Sequence, residues 1–217
     1  MSGKFKKTER NGIRRLPQRG SYDKDAVYAI LDANFLCHVG FVVDGQPFVI
    51  PTLYGRIGDD LYIHGSNVSR MLGHAASATR LCVTVTEVNA LVLARSAFHH
   101  SANYRSAVVF GTGTTVSGDA AKLAGLKAVS DHVLKGRWED CRLPNKKELN
   151  VTSVIRIAIE EASAKSRTGG PVDDAADLAL PVWAGLVPIV TGYGIPVPDG
   201  ELAEGLQVPG YVPGARA

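Results

Sequence analysis

Cysteine is scarce in this chain: Cys37, Cys82 and Cys141 are the only three in 217 residues, and no two form a CxxC pair. That spacing gives a zinc or dithiol centre little support, and an odd, sparse set fits a reducing compartment better than a disulfide framework. No GxGxxG, GxxxxGK or GxSxG segment is present. A dinucleotide loop, a P-loop and a hydrolase nucleophile elbow each need one of those backbones. Gly111-Thr112-Gly113-Thr114 comes nearest, and it lacks the strand-glycine-helix setting. There is no internal repeat and no low-complexity segment. The longest charge-free run, Leu178 to Pro198, is broken by Pro181, Pro188, Pro196 and Pro198 and by three glycines. Prolines at that density exclude a spanning helix. The run is expected to lie extended and buried against the domain. No apolar stretch follows the basic start, so no secretory leader is expected, and the reading is a soluble cytoplasmic protein without a membrane partner.

What the chain does have is 45% apolar residues, enough to bury a core without disulfides or metal. Its net charge of +3 is unevenly spread. Lys4, Lys6, Lys7, Arg10, Arg14, Arg15 and Arg19 face Glu9 alone within residues 1–19, so the remainder is net acidic. A nucleic-acid reader carries its basic surface on the folded domain. A basic terminal segment is expected to be a solvated, flexible arm, and no nucleic-acid partner is expected. The predicted organisation is this arm, a domain over 20–190, and an extended tail over 191–217.

Within the domain, Asp23 opens a predicted helix over Lys24–Asn34 with Val27, Ile30 and Leu31 on one face. Phe35–Val43 and Gln46–Arg56 read as strands joined by Asp44-Gly45, a pair that tolerates the positive φ of a tight hairpin turn. Leu61–His64 completes a meander, and a short helix is predicted over Val68–Ala78. Arg80–Val88, Leu91–Ser96 and Tyr104–Val116 read as further strands. A helix is expected over Asp119–Leu134 and a last long strand over Val151–Glu160. Six or seven strands with three helices and no β-α-β alternation argue for a small antiparallel barrel rather than a doubly wound sheet.

Four stretches hold polar groups in patterns that suit a ligand. In Ile63-His64-Gly65-Ser66-Asn67-Val68-Ser69-Arg70 a strand ends at glycine, then hydroxyls and a guanidinium meet a helix start. Free N–H groups and a bidentate cation there suit a phosphate, and the same residues would also serve as an ordinary cap with a surface arginine. Arg95-Ser96-Ala97-Phe98-His99-His100, followed by Asn103-Tyr104-Arg105-Ser106, is dense in polar groups at a strand entrance. Adjacent histidines on a strand point to opposite faces and no carboxylate sits at ligand spacing, so a phosphate or polar-ring role is preferred to metal. Glu160 to Arg167, with Lys165, is either cationic binding surface or a solvated strand end. Trp183, in Pro181-Val-Trp-Ala-Gly185, is either a core residue or the edge of a flat cofactor site.

In order and spacing these stretches resemble the FMN-binding split-barrel proteins of the pyridoxamine 5′-phosphate oxidase-like superfamily, in the branch related to nitroimidazole-resistance proteins. The resemblance runs from about Leu16 to Pro188. It implies a mainly β fold, a six-stranded antiparallel split barrel with peripheral helices, working as a homodimer with the cofactor at the subunit interface. It implies FMN, its phosphate against Ser69 and Arg70 with His64, Gly65 and Ser66 nearby, and its ring beside Pro51, Thr52 and Leu53. Arg105 and Ser106 align with an arginine-glutamine pair of the oxidase, and Trp183-Ala-Gly resembles its tryptophan-glutamine-glycine. Arg95, His99, Tyr104, Lys165 and Arg167 join the candidate cofactor-binding set. No catalytic residue and no metal ligand is assigned.

One departure bears on substrate. After Trp183 the chain has no arginine before Arg216 and no histidine, whereas the oxidase grips its phosphorylated substrate with both. Only one good phosphate clamp is visible, which argues against pyridoxamine phosphate oxidation. The expected function is an FMN-dependent oxidoreductase passing electrons between a nicotinamide nucleotide, or a similar partner, and a small molecule. The alternatives are a flavin-binding protein without turnover, or a barrel holding FAD, haem or F420. For haem, His64, His99 and His100 are the candidate ligands; for F420, the basic arm would meet its acidic tail.

Overall fold

The computed structural model describes residues 3–215. In chain order the elements are β1 (Gly20–Ser21), α1 (Lys24–Asp32), β2 (Leu36–Val43), β3 (Gln46–Leu53), β4 (Gly55–Ile57), β5 (Asp60–Ser66) and α2 (Arg70–Ala75). They continue with β6 (Ser77–Leu93), β7 (Ser101–Thr115), α3 (Asp119–Val133), α4 (Lys146–Val151), β8 (Thr152–Ala158), β9 (Glu161–Arg167) and β10 (Gly185–Pro188). One sheet runs β3-β2-β6-β7-β8-β5-β4 as an open path, with β9 on β7, β1 on β9 and β10 on β6. The named strand pairs are antiparallel. This is the mainly β, antiparallel split barrel expected from the strand pattern.

The hairpin between β2 and β3 turns on Asp44 and Gly45, both at positive φ (51° and 79°), as a two-residue turn requires. Along β2 the alternate residues Cys37, Val39 and Phe41 face inward. They join Leu61, Ile63, Val83, Val85, Ile155 and Ile157 in the main core, which α1 closes with Val27, Ile30 and Leu31. The segments expected as two strands at Arg80–Val88 and Leu91–Ser96 form the single strand β6, with a register shift between Val88 and Ala90. A bulge there lets a long strand bend without ending.

A second, smaller core lies on the outer face of the sheet. Tyr62 on β5 and Val154 on β8 pack there under Leu123 and Leu126 of α3, with Leu149 of α4 and Trp138. The helix approaches at backbone distance over β4. A Cβ on Gly55 would sit 2.3 Å from the Ala128 carbonyl oxygen, so only glycine fits. His132 holds the far end of α3 to the sheet through Nε2, 2.6 Å from the Asn34 carbonyl oxygen.

Four expectations change. The basic arm is not a solvated tail where the structure describes it. Phe5 and Asn11 are buried, the Phe5 N–H donates to the Tyr22 carbonyl, and Arg10 pairs with Glu161 at 2.6 Å. The polar stretch after β8 is not a solvated strand end. It is β9, a sheet strand whose small residues Ala162, Ser163 and Ala164 are buried. The short helix α4 was not expected. Asn145 and Glu148 close it with a reciprocal capping box. The proline-rich run is extended, as expected, but not buried. Trp183 is 66% exposed and Val190 and Val197 are each 91% exposed, because beyond β10 the described residues offer little to cover it. Farther on, the Tyr211 hydroxyl donates to Asp140 at 2.6 Å.

Candidate functional site

The expected site residues fall into separate groups. At the end of β5 and the start of α2, Ser66, Ser69 and Arg70 lie together. The Ser69 hydroxyl caps α2 by accepting from the Leu72 N–H, and Met71, Leu72 and Ala75 anchor the helix in the main core. Arg70 is exposed and lies over the Phe48 ring, 4.3 Å from its centroid, without an ion pair among the described residues. Its charge is free for an anion. On β3, Pro51 pairs with His38 and Thr52 with Cys37, and Pro51 and Leu53 are exposed.

The second group lies at the other end of β6, about 50 Å of strand away from Ser77 at 3.3 Å per residue. Asp173 gathers Arg95 there. Its carboxylate accepts from the Arg95 N–H (2.8 Å), from Arg95 Nη1 (3.0 Å) and from the Ser96 N–H (3.4 Å). Burial opposes charge on that carboxylate, but these hydrogen bonds win and hold it below its ordinary pKa. Arg167 is buried and donates to Asn103 and to the carbonyls of Gly169 (3.1 Å) and Gly170 (2.9 Å). His99 meets Asp174 at 3.3 Å, and His100 meets the Ala94 carbonyl at 3.1 Å. Arg95 and Arg167 therefore tie the 168–174 loop to the sheet. Among the described residues no three His, Cys, Asp or Glu side chains gather as metal ligands.

Tyr104, Arg105 and Ser106 sit mid-strand on β7, opposite Val88, Glu87 and Thr86 of β6 and opposite Arg167, Ser166 and Lys165 of β9. Arg105 donates to Glu87 at 2.5 Å, and that hydrogen bond lowers the Glu87 pKa. Lys165 donates to the Arg15 carbonyl at 2.9 Å. Trp183 lies over Gly185 at the start of β10.

His64 stands apart from both groups. Leu61 and Ile63 of β5 point into the barrel, so by alternation His64 points outward, under α3. It lines a largely apolar cavity of about 450 Å³ with Leu53, Leu126, Val133, Leu134 and Trp138, and Arg137 stands at the same cavity. Neither ring nitrogen has a hydrogen-bond partner among the described residues, and Nδ1 is buried. Desolvation lowers its pKa from 6.5, which keeps the imidazole neutral with a lone pair available. An unpartnered buried polar atom costs about 1–3 kcal/mol. The cavity shares Val133 and Leu134 with a second one of about 320 Å³, walled by Phe35 and Tyr193. That one shares Phe35 and Tyr193 with a third, of about 700 Å³, holding Thr86, Glu87, Asn89 and Arg105. These three cavities, each sharing a wall with the next, lie in series from His64 to Arg105 and together are called the trough. Of its residues the sequence reading named His64, Leu53 and Arg105; the α3 wall read only as core-facing helix, and Arg137 and Trp138 gave no signal.

The sequence matches the family model described as pyridoxamine 5′-phosphate oxidase over residues 23–166. The flavocytochrome Anf3 from Azotobacter vinelandii is 38% identical to this chain, with a TM-score of 0.88, covering 94% of this chain and 95% of its own. The FAD and heme binding protein from Mycobacterium smegmatis is 37% identical, with a TM-score of 0.84, covering 89% of this chain and 95% of its own. A Bacteroides thetaiotaomicron structure named for 5-nitroimidazole antibiotic resistance shares the fold at 21% identity and a TM-score of 0.57, covering 67% of this chain and 85% of its own. No curated protein matches.

Proposed function

The chain belongs to the pyridoxamine 5′-phosphate oxidase family, and on that premise we propose that it is a redox protein binding two cofactors, a flavin nucleotide and a haem. The observation that carries this reading is His64, an imidazole lining an apolar cavity, its Nε2 without a partner among the described residues and its Nδ1 buried. Two relatives at 37–38% identity are named a flavocytochrome and an FAD and heme binding protein. The second favours FAD over the FMN expected from the sequence, and both favour haem beside the flavin rather than in its place.

In this reading His64 is the iron ligand and Leu126, Val133, Leu134 and Trp138 keep water from it. Arg137, at the same cavity and within reach of the Tyr211 hydroxyl and Asp140, would supply a cation to a haem carboxylate. Ser69 and Arg70 hold a flavin phosphate on the open face at the start of α2, beside the strand carrying Pro51, Thr52 and Leu53. When bound, the flavin exchanges electrons with a nicotinamide nucleotide or similar donor and the haem carries single electrons. Pyridoxamine phosphate is not the substrate, since no arginine follows Trp183 before Arg216. The two relatives named for a flavocytochrome and for FAD and heme give F420 no support.

The working unit is a homodimer. Val42, Val49, Val88, Leu91 and Val187 are exposed on one protomer, together with the proline-rich run. A second copy would cover them and bring its own Arg105, Ser106 and Trp183 to the cofactor. The test is the absorbance spectrum of the full chain supplied with haem and FAD. Soret and flavin bands each approaching one per chain are expected; uptake of flavin alone would leave only the flavoprotein half standing.

A further inference from the structure

The trough ends at Arg105, and on the other side of that side chain is a small cavity of about 210 Å³. Its polar walls are Arg19, Ser21, Arg105 and Ser166, and Ala29 and Ile30 of α1 line its apolar side. We propose that this cavity is a phosphoryl-binding site, distinct from the Ser69–Arg70 cluster, and that it takes the phosphate of a ligand whose body lies in the adjoining 700 Å³ part of the trough.

The donors are held by paired backbone. Arg19 closes a short helical turn over Pro17–Arg19 and is followed by β1, whose Gly20 and Ser21 pair with Lys165 and Ala164 of β9. Ser166 stands opposite Arg105 across the β7–β9 ladder. Arg19 is half-buried, and its guanidinium has neither a hydrogen bond nor an ion pair among the described residues. The Ser166 hydroxyl has no partner there either. Arg105 gives one edge of its fork to Glu87, which lies in the neighbouring cavity. Asp23, the nearest acid to Ser21, accepts from its hydroxyl at 3.0 Å and is paired with Lys4 at 3.1 Å. Two guanidiniums therefore face one cavity against two carboxylates outside its lining, Glu87 on Arg105 and Asp23 on Ser21, the latter paired with Lys4. A forked planar cation matches a tetrahedral dianion, and a cavity of this size holds a phosphoryl group.

The arm that supplies Arg19 is thus part of a site, which gives its close packing on the barrel a function. The phosphate has two possible sources, a phosphorylated substrate or the flavin nucleotide itself, and the site does not depend on the haem or flavin reading. The experiment is calorimetric titration of inorganic phosphate into the full chain, first without added flavin and then loaded with FAD. Saturable binding is expected, weakened about tenfold or more by Arg19→Gln and less by Arg19→Lys, and the Arg19 effect persists in an Arg70→Ala background, where the Ser69–Arg70 cluster no longer contributes. Circular dichroism of each variant establishes that the fold is kept. Ser166→Ala, on an exposed hydroxyl, gives a second, smaller loss. Phosphate binding that survives FAD loading identifies a separate substrate. Binding abolished by FAD, with Arg19→Gln weakening FAD but not riboflavin, identifies the nucleotide. Both support the site. Absence of saturable binding in either form, or equal binding by Arg19→Gln and wild type, overturns it.

Discussion

At the start of α2, Arg70 lies exposed over the Phe48 ring with no carboxylate paired to it among the described residues; beyond the far end of β6, Arg167 is enclosed by Asn103 and two loop carbonyls. Both arginines belong to polar stretches that look alike in sequence. The second is committed to holding a loop, and the first is held in place by a helix whose own anchors are apolar. Free donors on a rigid support bind ligands, while saturated donors bind the protein. His64 repeats the first pattern on the outer face, a fixed side chain with an unspent nitrogen.

This contrast can be broken most sharply at Arg167. Arg167→Ala leaves Asn103 and two carbonyls without their cation, and we expect a loss of about 3 kcal/mol in urea unfolding. A change under about 0.5 kcal/mol would show that the cluster is not structural. Arg70→Ala should behave oppositely. Stability should stay within about 0.5 kcal/mol, and flavin affinity should fall roughly ten- to hundredfold, the worth of a charge-assisted contact of about 1.5–3 kcal/mol. Variant protein that purifies with a full complement of flavin would defeat that assignment.

His64 sharpens the comparison in a second direction, because an unspent polar group costs stability. His64→Leu should raise the stability of the cofactor-free protein by about 1 kcal/mol while removing the haem ligand. The pH dependence follows from the same burial. The folded pKa lies below the ordinary 6.5, so the unfolded chain takes up a proton first as pH falls. The stability of the cofactor-free protein should therefore decline below about pH 6.5 in wild type, and this part of the decline should vanish in His64→Leu. Parallel thermal-unfolding curves at pH 7.5 and about pH 5.5 would measure it.

Much of the barrel was legible. Asp44-Gly45 announces its hairpin, and the α3 pattern of Leu123, Leu126 and Val129 identifies a packed helix. What was missed has physical causes. In β9, Ala162, Ser163 and Ala164 are buried by close approach rather than by apolar bulk, so the strand carries no hydrophobic signature. The arm reads as solvated because charge outweighs Phe5 and Asn11, although those two residues anchor it. The proline-rich run was apolar enough to predict burial, but among the described residues little lies over it beyond β10, and Val190 and Val197 are exposed. In the site, the Ser69–Arg70 pair was visible as a motif. Nothing in the sequence could choose among His64, His99 and His100, because the choice depends on α3 folding back over β5 and on Asp174 and the Ala94 carbonyl engaging the other two.

The most direct measurement is a spectrophotometric haem titration of wild type and His64→Leu, each loaded with FAD. The account predicts a Soret band saturating near one haem per wild-type chain, none in His64→Leu, and the same flavin band in both. A wild-type chain that takes up no haem, or a His64→Leu chain that binds it equally well, would contradict the central claim.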